Sequence, residues 1–390
     1  MSPAKARLGT YISSSTAGEK YKAFVPPPLP PEPPLDSQRY GALLERAGLA
    51  LGRLNGLVDA IPETKLFLYF NIRKEAVLSS QIEGTQSSLS DLLMFESDEV
   101  PGVPLHDVTE VSNYVLALEY AFKRMKDGFP LSLRLMNEMH ALLLSRGRGS
   151  GKNPGEFRRS QNWIGGTRPG NARFVPPPPE KVMECLAEFE KFLYLDPAPY
   201  PPLVKAALAH VQFETIHPYL DGNGRLGRLL VSILLYLDGV LKEPVLYLSL
   251  YFKNHRQTYY DKLNAVRESG DWEGWVEFFL EGVIDAAEQA VATITKVRDL
   301  LAADKRQIDM VGRKGITMMK VHAYLQKKPI TSALEVAKEL EITPPTARVA
   351  LQNLERYKIV KEITGRERGR LYVYQRYIAA LEEGTGGLPE

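Results

Sequence analysis

Between residues 36 and 298 apolar side chains recur at intervals of three and four, and one stretch alone breaks that rhythm. Such spacing puts the apolar residues on one face of a helix, so the body of the chain is predicted to be a stack of amphipathic helices. Tyr40, Leu43, Leu44 and Ala47 form one stripe. Leu66, Phe67, Phe70 and Ile72 open another, in a helix that continues through Val77 and Ile82 and stops at Gly84. Helices follow over residues 108–126, 131–144, 181–194, 203–216 and 225–237. A last helical group covers 259–298, with Trp272, Trp275, Phe278 and Phe279 as core. The exception is residues 155–179, GEFRRSQNWIGGTRPGNARFVPPPP, where short extended runs at 161–164 and 173–175 flank a Gly/Pro/Asn turn. That pattern reads as a β-hairpin.

Both ends differ from this body. Residues 26–34, PPPLPPEPP, exclude helix and central strand and are expected to run as an extended arm into the first helix. Residues 302–314, AADKRQIDMVGRK, are polar and charged and read as a link between domains. Beyond them, residues 331–340 read as a helix, Glu341 and Ile342 as a tight turn, and Thr343 as the cap of a second helix opened by Pro344 and Pro345. Residues 361–374, KEITGRERGRLYVY, alternate around Gly365 and Gly369 like a two-stranded wing, so this part is predicted to be a winged helix-turn-helix. There are no internal repeats.

Composition narrows the class. The chain has 390 residues, enough for two or three domains, with 44% hydrophobic and 25% charged residues and a net charge of +2, a balance that names no partner. Cys185 is the only cysteine, which excludes an intrachain disulfide and suits a reducing compartment. The segment MSPAKARLGTYISSS lacks the apolar centre of a signal peptide. The richest apolar run, residues 229–237, is too short to span a bilayer and ends at Asp238. A cytoplasmic protein without membrane contact is expected.

The chemistry concentrates in HPYLDGNGRLGR, residues 217–228, between two helical patterns. Gly222, Asn223 and Gly224 are flexible backbone just before a helix start, where free N–H groups and the positive end of the dipole seat an anion. Arg225 and Arg228 are three apart in that helix, near its N-terminus, and two guanidinium groups beside an anion hole suit a polyphosphate. Asp221 offers a hard carboxylate oxygen where Mg²⁺ sits beside phosphates. His217 titrates near neutrality and can take a proton from an attacking hydroxyl. Each element alone is commonplace; their order within twelve residues is specific.

This segment resembles the Fic family signature, H-x-F-x-[DE]-G-N-G-R-x-x-R, with Tyr219 where the family has Phe. The resemblance implies a protein adenylyltransferase: His217 deprotonates a Ser, Thr or Tyr hydroxyl of a target protein or of the chain itself, the oxygen attacks the α-phosphorus of ATP, and pyrophosphate leaves. It further implies that Asp221 holds Mg²⁺, that Gly222, Asn223, Gly224 and Gly227 belong to the nucleotide site, and that Arg225 and Arg228 contact the outer phosphates. The hairpin at 162–178 matches the family's flap, which aligns a target by strand addition, with Ile164, Gly165 and Gly166 bordering the nucleotide. Asn254, Tyr259 and Tyr260 fall where similar proteins line the adenosine pocket, although both tyrosines fit equally well as core aromatics. Residues 79–84, SSQIEG, resemble the family's inhibitory signature, in which Glu83, one turn from Ser79, pairs with Arg228 in the place of the γ-phosphate.

The expected architecture is therefore mainly α: an N-terminal arm and helices carrying the switch (1–100), a Fic core with its flap (101–300), and a winged helix (301–390). Relatives often dimerise, which leaves a homodimer open. A DNA-binding regulator is the rival reading, with Thr346, Arg348, Gln352 and Asn353 facing a groove and Arg366, Arg368 and Arg370 touching phosphates, and a protein contact through the same residues 315–375 stays open beside it. Fic relatives that act as kinases carry lysine at the second glycine of the anion hole, and Gly224 is intact here. Transfer of UMP or phosphocholine, and removal of AMP with Glu83 orienting a water, stay open as alternative chemistry on the same fold.

Overall fold

The computed structural model describes residues 3–16, 18–59, 64–96, 102–312, 315–367 and 369–385. The chain opens with a single turn, α1 (Pro3–Ala6), and a hairpin, β1 (Thr10–Thr16) and β2 (Glu19–Val25). Helices α2 (Ser37–Asp59), α3 (Thr64–Ile82), α4 (Leu89–Phe95), α5 (Leu105–Lys126) and α6 (Leu133–Leu143) follow. After the flap come α7 (Pro179–Leu193), α8 (Pro202–Ile216), α9 (Asn223–Leu237), α10 (Ser249–Asn254), α11 (Arg256–Ser269) and α12 (Trp272–Asp309). The last part is α13 (Gly315–Lys327), β3 (Ile330–Ser332), α14 (Ala333–Glu339), α15 (Pro344–Arg356), β4 (Lys361–Glu362), β5 (Leu371–Val373) and α16 (Gln375–Glu382).

Local chemistry sets the helix ends. Ser88 and Asp91 form a capping box at α4, Ser132 caps α6, and α7 and α8 start on proline, where the missing N–H costs nothing. Helix α8 is apolar nearly all round and, apart from Pro202 and Lys205 in its first turn, is buried in the main core, packed on α9. Trp275 of α12 donates its indole N–H to the Ala207 carbonyl at 2.7 Å, fastening α12 to this centre.

Helix α12 corrects the expected link. Its 38 residues, about 57 Å at the usual rise, run straight through residues 302–309. Asp304 and Ile308 are buried there. Asp304 accepts hydrogen bonds from the Tyr374 hydroxyl (2.5 Å) and from Arg376 (2.7 Å), so the polar composition marks a buried anchor to the last module. The predicted single group over 259–298 is two helices parted at Gly270, a left-handed position at φ +71°. The predicted helix at 331–340 starts instead with strand β3, which pairs with β5; the sheet order is β3-β5-β4. A second core holds α13 to α16 together with Phe70, Leu89 and Leu93 of α3 and α4.

The N-terminal hairpin has no counterpart in the sequence reading. Its outer strand, TYISSST, carries few apolar residues, and the hairpin gains its burial by seating Tyr21, Ala23 and Phe24 against the flap. Phe24 N–H donates to the Val175 carbonyl at 2.9 Å, and Arg168 pairs with Glu19 at 3.1 Å. The proline arm is docked as well: Leu29 is buried, Gln212 donates to the Pro27 carbonyl, and Arg7 donates to those of Pro33 and Pro34.

Candidate active site

Helix α8 ends at His217, whose backbone is left-handed (φ +49°, ψ 61°). This turn lifts the imidazole off the helix and sends the chain back through residues 218–222 into α9. Asn223 fixes the loop, since its side-chain oxygen accepts from Tyr219 N–H (2.9 Å) and its amide donates to the Tyr219 carbonyl (2.8 Å). Both ends of that side chain are bonded to Tyr219, and at the helix start Asn223 also presents its backbone N–H. Gly222 is left-handed at φ +77° and is the α9 cap, and the amides of the first turn have no intrahelical acceptor. Asp221, about a third exposed, accepts from Gly222 N–H at 2.6 Å and stands beside this helix start.

His140 of α6, absent from the sequence reading, braces the loop from below. Gly155 N–H donates to its Nδ1 (2.8 Å), so Nε2 carries the proton and donates to the Asp221 carbonyl (3.0 Å). Its ring stacks on Tyr219 at 3.7 Å, and the Tyr219 hydroxyl donates to Asn137 at 2.8 Å. Burial pushes His140 down to about 4, which keeps this neutral tautomer.

Both signature arginines are held by carboxylates. Arg225 donates to Glu110 of α5 at 3.0 Å and lies 3.5 Å from Asp221. Arg228 donates through Nε to the Ser79 hydroxyl (2.9 Å) and through Nη2 to the Ser79 carbonyl (2.9 Å) and Glu83 Oε1 (2.7 Å). A Cβ added at Gly224 would lie 2.4 Å from that same Glu83 oxygen, so the glycine leaves the carboxylate its seat against α9. Burial opposes ionisation of Glu83, but the charge and hydrogen bond of Arg228 outweigh it and hold the carboxyl below its usual range. His217 is pushed down to about 3 by burial, reinforced by the cations of Arg267 and Arg158, and is neutral at physiological pH.

Other expected site residues divide. The flap closes with a single bridge, Ile164 to Phe174, joined by hydrogen bonds of 2.8 and 3.1 Å, and Gly165 and Gly166 turn with positive φ beside it. Asn162 ties the flap to the loop, donating to the Tyr219 carbonyl at 2.9 Å. Tyr260 is half-buried and its hydroxyl feels the charges of Glu83 and Arg228, while Asn254 is exposed at the end of α10. Tyr259 is instead a core aromatic, with its hydroxyl 2.9 Å from His210 Nε2 and its ring stacked on Phe252. Gly227 lies against the neighbouring helix. It faces α8, where a Cβ would meet Glu214 Oε1 at 2.6 Å, so it serves close helix packing. Arg368 lies outside the described residues.

A neutral imidazole, a helix start with free amides and a buried arginine paired with a carboxylate thus lie together on a mostly helical fold. Residues 42–123 match the Fic/DOC family N-terminal model and residues 130–235 match the Fic/DOC family model, and the chain belongs to that family. Among curated relatives, the protein adenylyltransferase Fic of Drosophila willistoni is 29% identical over 250 residues, 63% of this chain and 46% of the relative. That of Aedes aegypti is 33% identical over 205 residues, 51% of this chain and 38% of the relative. The chain thus spans less than half the length of these relatives. The crystal structure of a Fic family protein from Desulfovibrio desulfuricans G20 superposes with a TM-score of 0.57 at 22% identity, covering 87% of this chain and 97% of that one, a likeness of fold.

Proposed function

We propose that this chain transfers AMP from ATP to a hydroxyl of a protein, itself included, and that Glu83 holds the enzyme in check. The reading rests above all on the Glu83–Arg228 pair at the start of α9, a carboxylate occupying a guanidinium beside free helix amides and a neutral histidine. The relatives' name, protein adenylyltransferase, supports the same chemistry. When Glu83 leaves, Arg228 and the α9 amides can take the polyphosphate. His217 accepts the proton of a Ser, Thr or Tyr hydroxyl, the oxygen bonds to the α-phosphorus, and the bond to pyrophosphate breaks. Positioning and charge neutralisation supply most of the rate. The Asp221 carboxylate, partly exposed next to the amides, fits a hard cation and would hold Mg²⁺, which supplies charge neutralisation of the phosphates when bound. Target segments dock on the flap at 162–178. Incubation with Mg²⁺ and α-³²P-labelled nucleotides tests the reading. Label from ATP on Glu83→Gly but not on Glu83→Gly/His217→Ala is expected, and equal label on both overturns it.

A second activity has its own observation. The last module runs helix, strand, helix, helix, strand, strand, helix, and Arg348 and Gln352 of α15 line one groove with Arg370 of the β4–β5 ribbon. We read it as a winged helix, roughly residues 301–390 and anchored by α12, that contacts duplex DNA. Binding of a duplex that weakens steeply with salt supports this reading, and salt-insensitive or absent binding removes it. Among the described residues no helix is long and apolar enough to cross a membrane.

A further inference from the structure

Two arginines that belong to no signature meet at the C-terminal end of α8, and both are buried: Arg158 is 3% exposed and Arg267 is 5% exposed. Buried guanidinium groups ordinarily sit against carboxylates, because an uncompensated charge is costly to desolvate. Among the described residues neither has a carboxylate within ion-pair distance. Their donors go to uncharged oxygens of backbone, hydroxyl and amide groups, Arg267 Nη1 reaching Asn264 Oδ1 at 3.3 Å. Arg158 gives Nε to the His217 carbonyl (2.9 Å), Nη2 to Pro177 (2.5 Å) and more distantly to Ile216 (3.5 Å), and Nη1 to Ser160 (3.2 Å). Its own N–H donates to the Pro218 carbonyl at 2.9 Å. Arg267 of α11 gives Nη2 to the Glu214 carbonyl and Nε to the Thr215 hydroxyl, each at 3.1 Å. Its guanidinium lies 4.0 Å over the ring of Phe174 in the flap.

The last carbonyls of a helix lack intrahelical donors and carry its negative dipole end, so cations are favoured there. Here the orphan carbonyls of residues 214, 216 and 217 are each met by an arginine. The same two side chains also reach the flap, at Pro177 and Phe174. The left-handed turn at His217 costs energy for a residue with a Cβ and persists only where its surroundings enforce it. We infer that Arg158 and Arg267 are positioning residues for His217, clamping the end of α8 so that the imidazole is presented to the flap at a fixed angle. This rests on the adenylyl-transfer reading.

The clamp carries charge as well as shape. The charged and titratable groups facing His217 are Arg158 from the segment before the flap, Arg267 from α11, Glu83 beyond α3, and Glu214 of α8, whose carboxyl burial pushes up to about 7 and which lies 4.0 Å from Nδ1. The two cations favour the neutral imidazole, the form that can accept a proton. Their loss raises the imidazole toward its usual value.

The test uses the full chain carrying Glu83→Gly, with Arg267→Lys, Arg267→Met and Arg158→Lys added singly, and reads self-labelling, ATP affinity by calorimetry and the pH–rate profile. In Arg267→Met, kcat is expected to fall by about 10- to 100-fold, a part of the roughly 10²- to 10⁴-fold that general-base catalysis contributes, with ATP affinity little changed. The acidic limb of its profile should move up by about one pH unit. Arg267→Lys keeps the charge and should leave that limb in place while recovering part of kcat, and Arg158→Lys should behave likewise. An unchanged kcat and limb in Arg267→Met, or a loss of ATP affinity matching the loss of rate, overturns the assignment. If Arg267→Met does not fold, the two lysine variants decide: a shifted limb in either overturns it. Absence of label on the Glu83→Gly parent itself would instead sink the adenylyl-transfer reading.

Discussion

Glu83 Oε1 lies 2.7 Å from Arg228 Nη2, and the Ser79 hydroxyl and carbonyl take two more bonds from the same guanidinium. The arginine that a polyphosphate would need is therefore satisfied from within the chain. A phosphate can win it only by displacing a charge-assisted bond in a half-buried setting. Glu83→Gly removes the competing charge, and Ser79→Ala removes one bond of three. Self-labelling with labelled ATP is expected to rise roughly tenfold or more in Glu83→Gly, since 1.4 kcal/mol suffices for that factor, and less in Ser79→Ala. No rise in Glu83→Gly removes the switch from the account.

Two carboxyls, Glu83 half-buried and Glu75 buried, give opposite pH signatures. Glu83 is held below its usual range by Arg228, so its pair stabilises the fold above that range and is lost as pH falls through the lowered value. Glu75 of α3 is pushed up to about 7 by burial, against the opposing pull of hydrogen bonds from Ser249. The folded chain keeps a proton there that the unfolded chain releases near the ordinary carboxylate value. Stability therefore declines as pH rises from that value to about 7. Urea midpoints across pH should show a flatter decline in Glu75→Gln, and a Glu83→Gln deficit that vanishes in acid. A Glu75→Gln profile parallel to the parent's contradicts the assignment.

The helices and the loop at 217–228 were legible because their information is local: apolar spacing marks a helix, and glycines before a helix start mark an anion seat. What local pattern cannot carry is the partner. Arg225 meets Glu110 from 115 positions away, and Arg267 meets Thr215 from 52, and nothing near either arginine announces it. Asp304 and Arg306 look like a solvated link until Tyr374 and Arg376 close on Asp304. TYISSST reads as a polar terminus because the burial of its hairpin comes from the flap rather than from itself. Tyr259 and Tyr260 adjoin in sequence, yet helical geometry turns the first into the core and leaves the second half-buried.

Gly227 separates packing from ligand contact. A Cβ there meets Glu214 Oε1 at 2.6 Å and Phe213 at 3.3 Å across the α8–α9 contact. Gly227→Ala should cost about 1–3 kcal/mol through overpacking, read as a lower denaturant midpoint. ATP affinity per folded molecule, measured in the Glu83→Gly background, should stay within about twofold, a shift of under 0.5 kcal/mol. A large loss of affinity with unchanged stability would return Gly227 to the nucleotide site.

The helix that leads to Glu83, the proposed inhibitory residue, is tied down at its back by residues 383 and 385. Gln81 donates to the carbonyls of Ser87 (2.9 Å) and Thr385 (3.0 Å), and Lys74 donates to that of Glu383 (2.7 Å). Ser90, at the start of α4, gives its hydroxyl to Glu382 at 2.6 Å, and Phe70 packs edge-on against Tyr377. Burial pushes Lys74 down to about 8, so near neutral pH it stays a charged donor, and few other groups could replace it. These bonds fix where α3 ends, and so where Glu83 points. Loosening them should free Glu83 part of the time. Lys74→Met and Gln81→Ala are expected to raise self-labelling by a few fold, the effect of losing a hydrogen bond of about 1 kcal/mol. In the Glu83→Gly background neither substitution should add anything, because there is no inhibitory carboxylate left to misplace. An equal rise in both backgrounds would mean that these contacts act on the site by some route other than the switch.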